Sequence, residues 1–162
     1  MTAPAAPIRT MTTPTEADSA STSRPWQTLI ERVREAGGYT TRAQAEGVTR
    51  TVLSALGTHV TGDERVALAR ALPEEAARVV AAQIPVIRPL TAREFVESVA
   101  SRIDNSTPAT ARWDTGTVLT VLADLLPPPV LTDILTQLPP GYALLFGRAE
   151  LSGPRPPAPR RG

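Results

Sequence analysis

The hexapeptide Thr51-Val52-Leu53-Ser54-Ala55-Leu56 returns as Thr117-Val118-Leu119-Thr120-Val121-Leu122, 66 residues later. The same offset sets Leu72-Pro73 against Leu138-Pro139 without a gap. Over residues 25–80 and 91–146 it gives 13 identities in 56 positions. Several other pairs exchange like for like: Leu29 for Phe95, Ile30 for Val96, Val80 for Phe146. Repetition at a fixed offset marks a duplicated supersecondary unit, so the fold of one half constrains the fold of the other.

Helical spacing runs through both halves. In the first, Trp26, Leu29, Ile30 and Val33 share a face that ends at Gly37-Gly38. Thr41-x-x-Gln44 reads as a capping box, in which side chains at the first turn satisfy free backbone N–H groups. It opens a second helix with Ala45, Val48, Val52, Leu56 and Val60 on one stripe, and Gly57 is a candidate stop. Thr61-x-x-Glu64 reads as a further capping box, before Val66, Ala69 and Leu72. Pro73 suits the first position of a fourth helix, which carries Ala76, Val79 and Val80, with Ile84 as its last candidate.

The second half repeats the plan. Thr91-x-x-Glu94 caps a helix with Phe95, Val96, Val99 and Ile103, and Asp104 to Ser106 form a turn. Thr107-Pro108 opens a long helix with Val118, Val121, Leu122 and Leu125. Three prolines, Pro127 to Pro129, precede Val130, Leu131, Ile134, Leu135 and Leu138. Pro139-Pro140 leads into a last helix that buries Tyr142, Leu145 and Phe146. Alternating apolar and polar runs are missing, so no strand is expected.

The expected fold is all-α: two tandem four-helix repeats packed as one pseudo-symmetric domain over residues 24–150. Copy one spans 24–84, the linker 85–89 and copy two 90–150. A unit of about 60 residues buries only about 60% of its unfolded surface, so each copy needs the other's core. Residues 1–23 are rich in Thr, Pro, Ala and Ser and lack an apolar core; they read as a disordered tail, not a secretion signal. Met11 is an alternative start within that tail. Residues 151–162 form a Pro/Arg tail with two Pro-x-x-Pro patterns, read as a solvated end.

Composition removes several chemistries. With no Cys and one His, thiol nucleophiles, disulfides and multi-histidine metal sites within one chain are excluded. No apolar run reaches the roughly 20 residues of a membrane span, so a cytoplasmic location is expected. A net charge of +1 provides no general pull toward nucleic acid or anionic lipid. All 17 basic residues are Arg, which reads as coding bias.

Phe95-Val96-Glu97-Ser98-Val99, Thr117-Val118-Leu119, Gln137-Leu138-Pro139 and Tyr142-x-x-Leu145-Phe146 together resemble the domain-of-unknown-function 2267 family of bacterial proteins. The resemblance covers roughly residues 25–149. It implies a duplicated all-helical domain and no reaction, because the matching residues are core and helix-start positions. Gly47, at mid-helix, and the three prolines from Pro127 depart from the family pattern.

Each candidate for chemistry has a structural counterpart. His59 is the only histidine, but the repeat sets it against Leu125, which fits a helix-end side chain half-packed on the core better than a general base. Glu31 and Glu97 align as a duplicated carboxylate, yet the Glu-x-x-His motifs of helical carboxylate metal sites are missing; a solvated face is expected. Trp113 aligns with Gly47, and Trp26 with Ala92. Large against small fits repacking across a pseudo-twofold interface better than ligand stacking. Arg32, Arg34, Arg42, Arg50, Arg65, Arg70 and Arg78 form at most a weakly basic face, interleaved with acids at helical spacing.

No catalytic, cofactor or metal site is expected. The sequence points to a non-catalytic helical module that binds a protein or itself. A weak nucleic-acid role through the copy-one arginines and the C-terminal tail is one alternative. An apolar-ligand carrier or enzyme with a site between the copies is another. Where the repeat sets Glu64 against Val130, Arg65 against Leu131 and Arg78 against Leu144, copy two is the apolar member. Between Val118 and Phe146 only Asp124 and Asp133 are charged. The expected partner surface is therefore centred on Val130, Leu131 and Leu144.

Overall fold

The computed structural model describes residues 23–148. Its helices are α1 (Arg24–Gly37), α2 (Arg42–Gly57), α3 (Gly62–Ala71), α4 (Glu74–Ala81), α5 (Ala92–Arg102), α6 (Pro108–Leu125), α7 (Pro128–Gln137) and α8 (Tyr142–Leu145). The described residues contain no strand. Apart from Ser23, the expected tails over 1–23 and 151–162 lie outside the described residues, as do their Pro-x-x-Pro patterns.

Helix ends follow from local chemistry. The hydroxyls of Ser23, Thr41 and Thr107 accept hydrogen bonds from the backbone N–H of Trp26, Gln44 and Thr110. At α5 the capping box is complete: the Thr91 hydroxyl accepts from Glu94 N–H, and the Glu94 carboxylate accepts from Thr91 N–H. Helix α1 stops at Gly38, where φ is 67°, a left-handed conformation that suits glycine.

Four local expectations need correction. Thr61 precedes α3, but its side chain makes no capping bond. Its backbone is instead gripped by the Gln137 side chain of α7. The Gln137 Oε1 accepts from Thr61 N–H at 2.8 Å, and Nε2 donates to Thr61 C=O at 3.1 Å. Pro73 is the residue before α4, not its first residue. Helix α4 ends at Ala81, so Ile84 falls in the connection that follows and projects into solvent. Pro128 and Pro129 do not precede α7 but form its first turn, where a missing N–H is harmless.

Helices α2 and α6 occupy the centre. Helix α2 packs on α1, α4, α5 and α6, while α6 packs on α1, α2, α5 and α8. Helix α3 lies against α4 and α7. One hydrophobic core runs through the described residues, with Trp26, Leu56, Phe95, Leu122, Tyr142 and Phe146 all buried. Each such side chain stabilises the fold by about 1.5–3 kcal/mol relative to exposure. At the end of α2, Gly57 allows a close backbone approach. A Cβ built there would lie 2.8 Å from the Val80 carbonyl oxygen of α4.

Candidate functional site

The three residues expected to centre a partner surface are divided by the fold. Leu131 is 7% exposed and belongs to the core. Val130 is half-buried and packs against that core. Leu144 is 56% exposed. The expected continuous patch is corrected accordingly: α7 turns Leu131 inward with Ile134 and Leu135, and only Leu144 stands out on the short α8.

The larger apolar surface lies in the 82–91 connection. Ile84 is 85% exposed, Ile87 is fully exposed and Val86 is also exposed. The backbone that carries them is tied down. Val86 N–H donates to the Thr58 carbonyl at 2.9 Å, and the Gln83 carbonyl accepts from the Arg65 guanidinium at 2.6 Å.

Arg65 makes most of these ties. Its guanidinium also donates to the carbonyl oxygens of Val80 at 2.7 Å, Val60 at 3.2 Å and Ala81 at 3.3 Å, and to that of Gly57. These acceptors lie at and just beyond the C-terminal ends of α2 and α4, where carbonyls lack helical partners and the helix dipole is negative. Five of the other six arginines expected on a basic face are paired: Arg34 and Arg42 with Glu31, Arg50 with Glu46, Arg78 with Glu74, and Arg32 with Asp124. Arg50 also lies 4.9 Å from the ring centre of buried Trp26.

His59 is buried, not half-packed. Its Nδ1 lies 2.9 Å from the Ala55 carbonyl oxygen and 2.7 Å from the Thr58 hydroxyl. The ring meets Phe95 edge-on with centroids 5.2 Å apart, and Nε2 is buried with no hydrogen-bond partner. Glu31 and Glu97 are engaged on their own surfaces, Glu31 with Arg34 and Arg42, Glu97 with Arg93. The bond from Arg34 pulls the Glu31 carboxyl below its ordinary range, against a smaller opposing effect of burial.

Trp113 departs furthest from expectation. It is 58% exposed, and its indole N–H donates to the Gly37 carbonyl at the end of α1 at 3.2 Å. It borders two cavities. One, of about 640 Å³, lies between α1 and α6 and includes Arg32, Arg112 and Asp124 in its wall. The other, of about 490 Å³, lies between α2, the α5–α6 turn and the start of α6. Gly47 lines the second cavity together with Trp113, so the two aligned positions share one cleft. Buried Asp114 also lines it and accepts a hydrogen bond from the Tyr39 hydroxyl at 2.5 Å. Burial, and then that bond, push the Tyr39 phenol well above its ordinary pKa.

A family model described as an uncharacterized conserved protein, DUF2267, matches residues 26–145. The chain belongs to the DUF2267 family. No curated protein matches the chain. The segment matched by the DUF2267 model takes in α2 to α8 and all of α1 after its first two residues. Trp113, Gly47, Arg65 and the exposed isoleucines therefore all lie within the family domain, while Ser23 lies just outside it. Among the described residues no helix is long and apolar enough to cross a membrane. Nor do three or more His, Asp or Glu side chains converge as metal ligands.

Proposed function

We propose that this chain is a non-catalytic helical interaction module, built from two copies of one four-helix unit, whose partner is a second copy of itself. The reading of two copies is supported by the helix bounds: α3 covers 62–71 and α7 covers 128–137, the 66-residue offset of the sequence repeat. Helices α2 and α6 likewise begin at 42 and 108.

The observation that carries the interaction is the display of Ile84 and Ile87 in solvent from a backbone held by Arg65 and Thr58. A backbone already held by hydrogen bonds loses little freedom when the side chains it carries dock, which favours binding. We assign the receiving site to the opposite end of α4. A cavity of about 640 Å³ is lined there by Pro25, Ala71, Leu72, Pro73 and Leu125. Helix α4 separates projection from cavity by about 12 Å of helix, at 1.5 Å per residue. A projection and a cavity on different parts of one molecule suit association between copies, reciprocal if a twofold axis relates them.

Sedimentation of the described domain across a concentration series tests this. The native chain should self-associate. Ile84→Ser with Ile87→Ser, and separately Leu125→Arg, should give folded protein of monomer mass. A native chain that remains monomeric at every concentration, or a double variant that assembles unchanged, removes the proposal. The paired state of most copy-one arginines gives the nucleic-acid alternative little support.

A further inference from the structure

The cleft beside Trp113 has features that packing does not require. Gly47 stands inside α2, where glycine weakens a helix, yet a Cβ built there meets nothing within 4 Å. The glycine thus serves no close approach; its effect is to leave room opposite Trp113. The cleft wall includes Asp114, only 4% exposed. Its carboxylate accepts from the Tyr39 hydroxyl and forms no ion pair with any described residue. A buried carboxylate without a cation is unfavourable, and its natural complement is a positive charge. Asp104 adds a second negative group to the wall against the single cation Arg102. Exposed Trp113 supplies an aromatic surface held in place by its bond to Gly37.

We propose that this cleft binds a small organic cation, an alkylammonium or quaternary ammonium. Asp114 is its counter-ion, Trp113 and Tyr39 are its aromatic walls, and Gly47 is the position that keeps the cleft open. Cations of this kind are held over aromatic faces by the ring quadrupole, and the cavity of about 490 Å³ falls in the usual range for small-molecule sites. The site is separate from the isoleucines and the cavity assigned to self-association, so either proposal can fail alone.

The test titrates the full chain with choline chloride at constant total chloride, read by tryptophan fluorescence and calorimetry. Trp26 is buried, so the signal comes from exposed Trp113, which borders this cleft and the cavity between α1 and α6; the Gly47 and Asp114 variants tell the two apart. Saturable binding is expected, weaker by at least about tenfold for the neutral isostere 3,3-dimethylbutan-1-ol and for Gly47→Leu. Gly47→Leu should keep the fold, because the space is empty, and so separates occlusion from unfolding. Asp114→Asn should weaken binding similarly. A peptide with one trimethyllysine is the comparison ligand; choline should bind at least as tightly. The proposal is overturned by unsaturable quenching, by equal binding of the neutral alcohol, by unchanged binding in Gly47→Leu, or by clearly tighter capture of the peptide.

Discussion

The carboxylate of Glu75 accepts both the backbone N–H and the hydroxyl of Ser23, each at 2.7 Å. One acid on α4 thereby fixes the residue that caps α1, 52 positions earlier. Burial works to raise the Glu75 pKa, but the two bonds from Ser23, a bond from its own backbone N–H and the charge of Arg78 together outweigh it, and the net shift is downward from 4.5. The sign follows. A lowered folded-state value stabilises the native chain above the ordinary glutamate range, and that stabilisation is lost as pH falls below 4.5 through the lowered value. Glu75→Gln should melt at a lower temperature than the native chain at neutral pH, and the gap should close on acidification. Equal gaps at both pH values would mean that the charge of Glu75 is irrelevant.

Arg65→Met should be the most destabilising arginine replacement. It removes five contacts to backbone carbonyls at and just beyond the ends of two helices. Each unsatisfied buried polar group costs about 1–3 kcal/mol, though water will recover part of this at a half-buried site. Arg78→Ala, which breaks only an exposed pair with Glu74, should stay within about 0.5 kcal/mol in denaturant unfolding. Similar losses for the two variants would show that the carbonyl contacts carry no net stability.

Leu56→Ala and Leu122→Ala should each lower unfolding free energy by about 2–5 kcal/mol, since both side chains are fully buried on the central helices. His59→Leu should be neutral or stabilising. It keeps the contact with Phe95 and removes a buried ring nitrogen that has no partner. A large loss of stability in His59→Leu would show that its Nδ1 contact to Ala55 matters more than the orphaned nitrogen.

Leu131→Arg and Leu144→Arg should separate. The first places a charge in the core and should prevent folding or cost more than about 3 kcal/mol; the second changes an exposed side chain and should stay within about 0.5 kcal/mol. Circular dichroism during thermal melting distinguishes them. A Leu131→Arg protein with native stability would return that residue to the surface.

These two leucines also show where the sequence stops being legible. The all-helical fold was readable because apolar spacing and the hydroxyls of Thr41, Thr91 and Thr107 act within a few residues of themselves. Leu131 and Leu144 both align with charged residues at the 66-residue offset, and only the orientation of α7 and α8 sorts one inward and the other out. Arg65 gave no signal either. Its acceptors are backbone carbonyls, which leave no trace in residue type. Thr61-x-x-Glu64 matched a capping box, but Gln137, 76 positions away, took hold of the backbone instead. The 66-residue offset aligns Gly47 with Trp113, which suggested repacking at an interface. That they border one open cleft, with Asp114 in its wall, depends on how α2 and α6 pack.

Gln137 presents Thr61 with an acceptor for its N–H and a donor for its C=O, the pair that a neighbouring backbone would otherwise supply. The Thr61 amide proton is therefore shielded by a side chain from the far half of the chain, not by a helix of its own. It can exchange with deuterium in solvent once α7 moves away from the α2–α3 turn. The exchange rate of this one proton, compared with that of Leu56 in the central core, registers whether the two halves part before they melt.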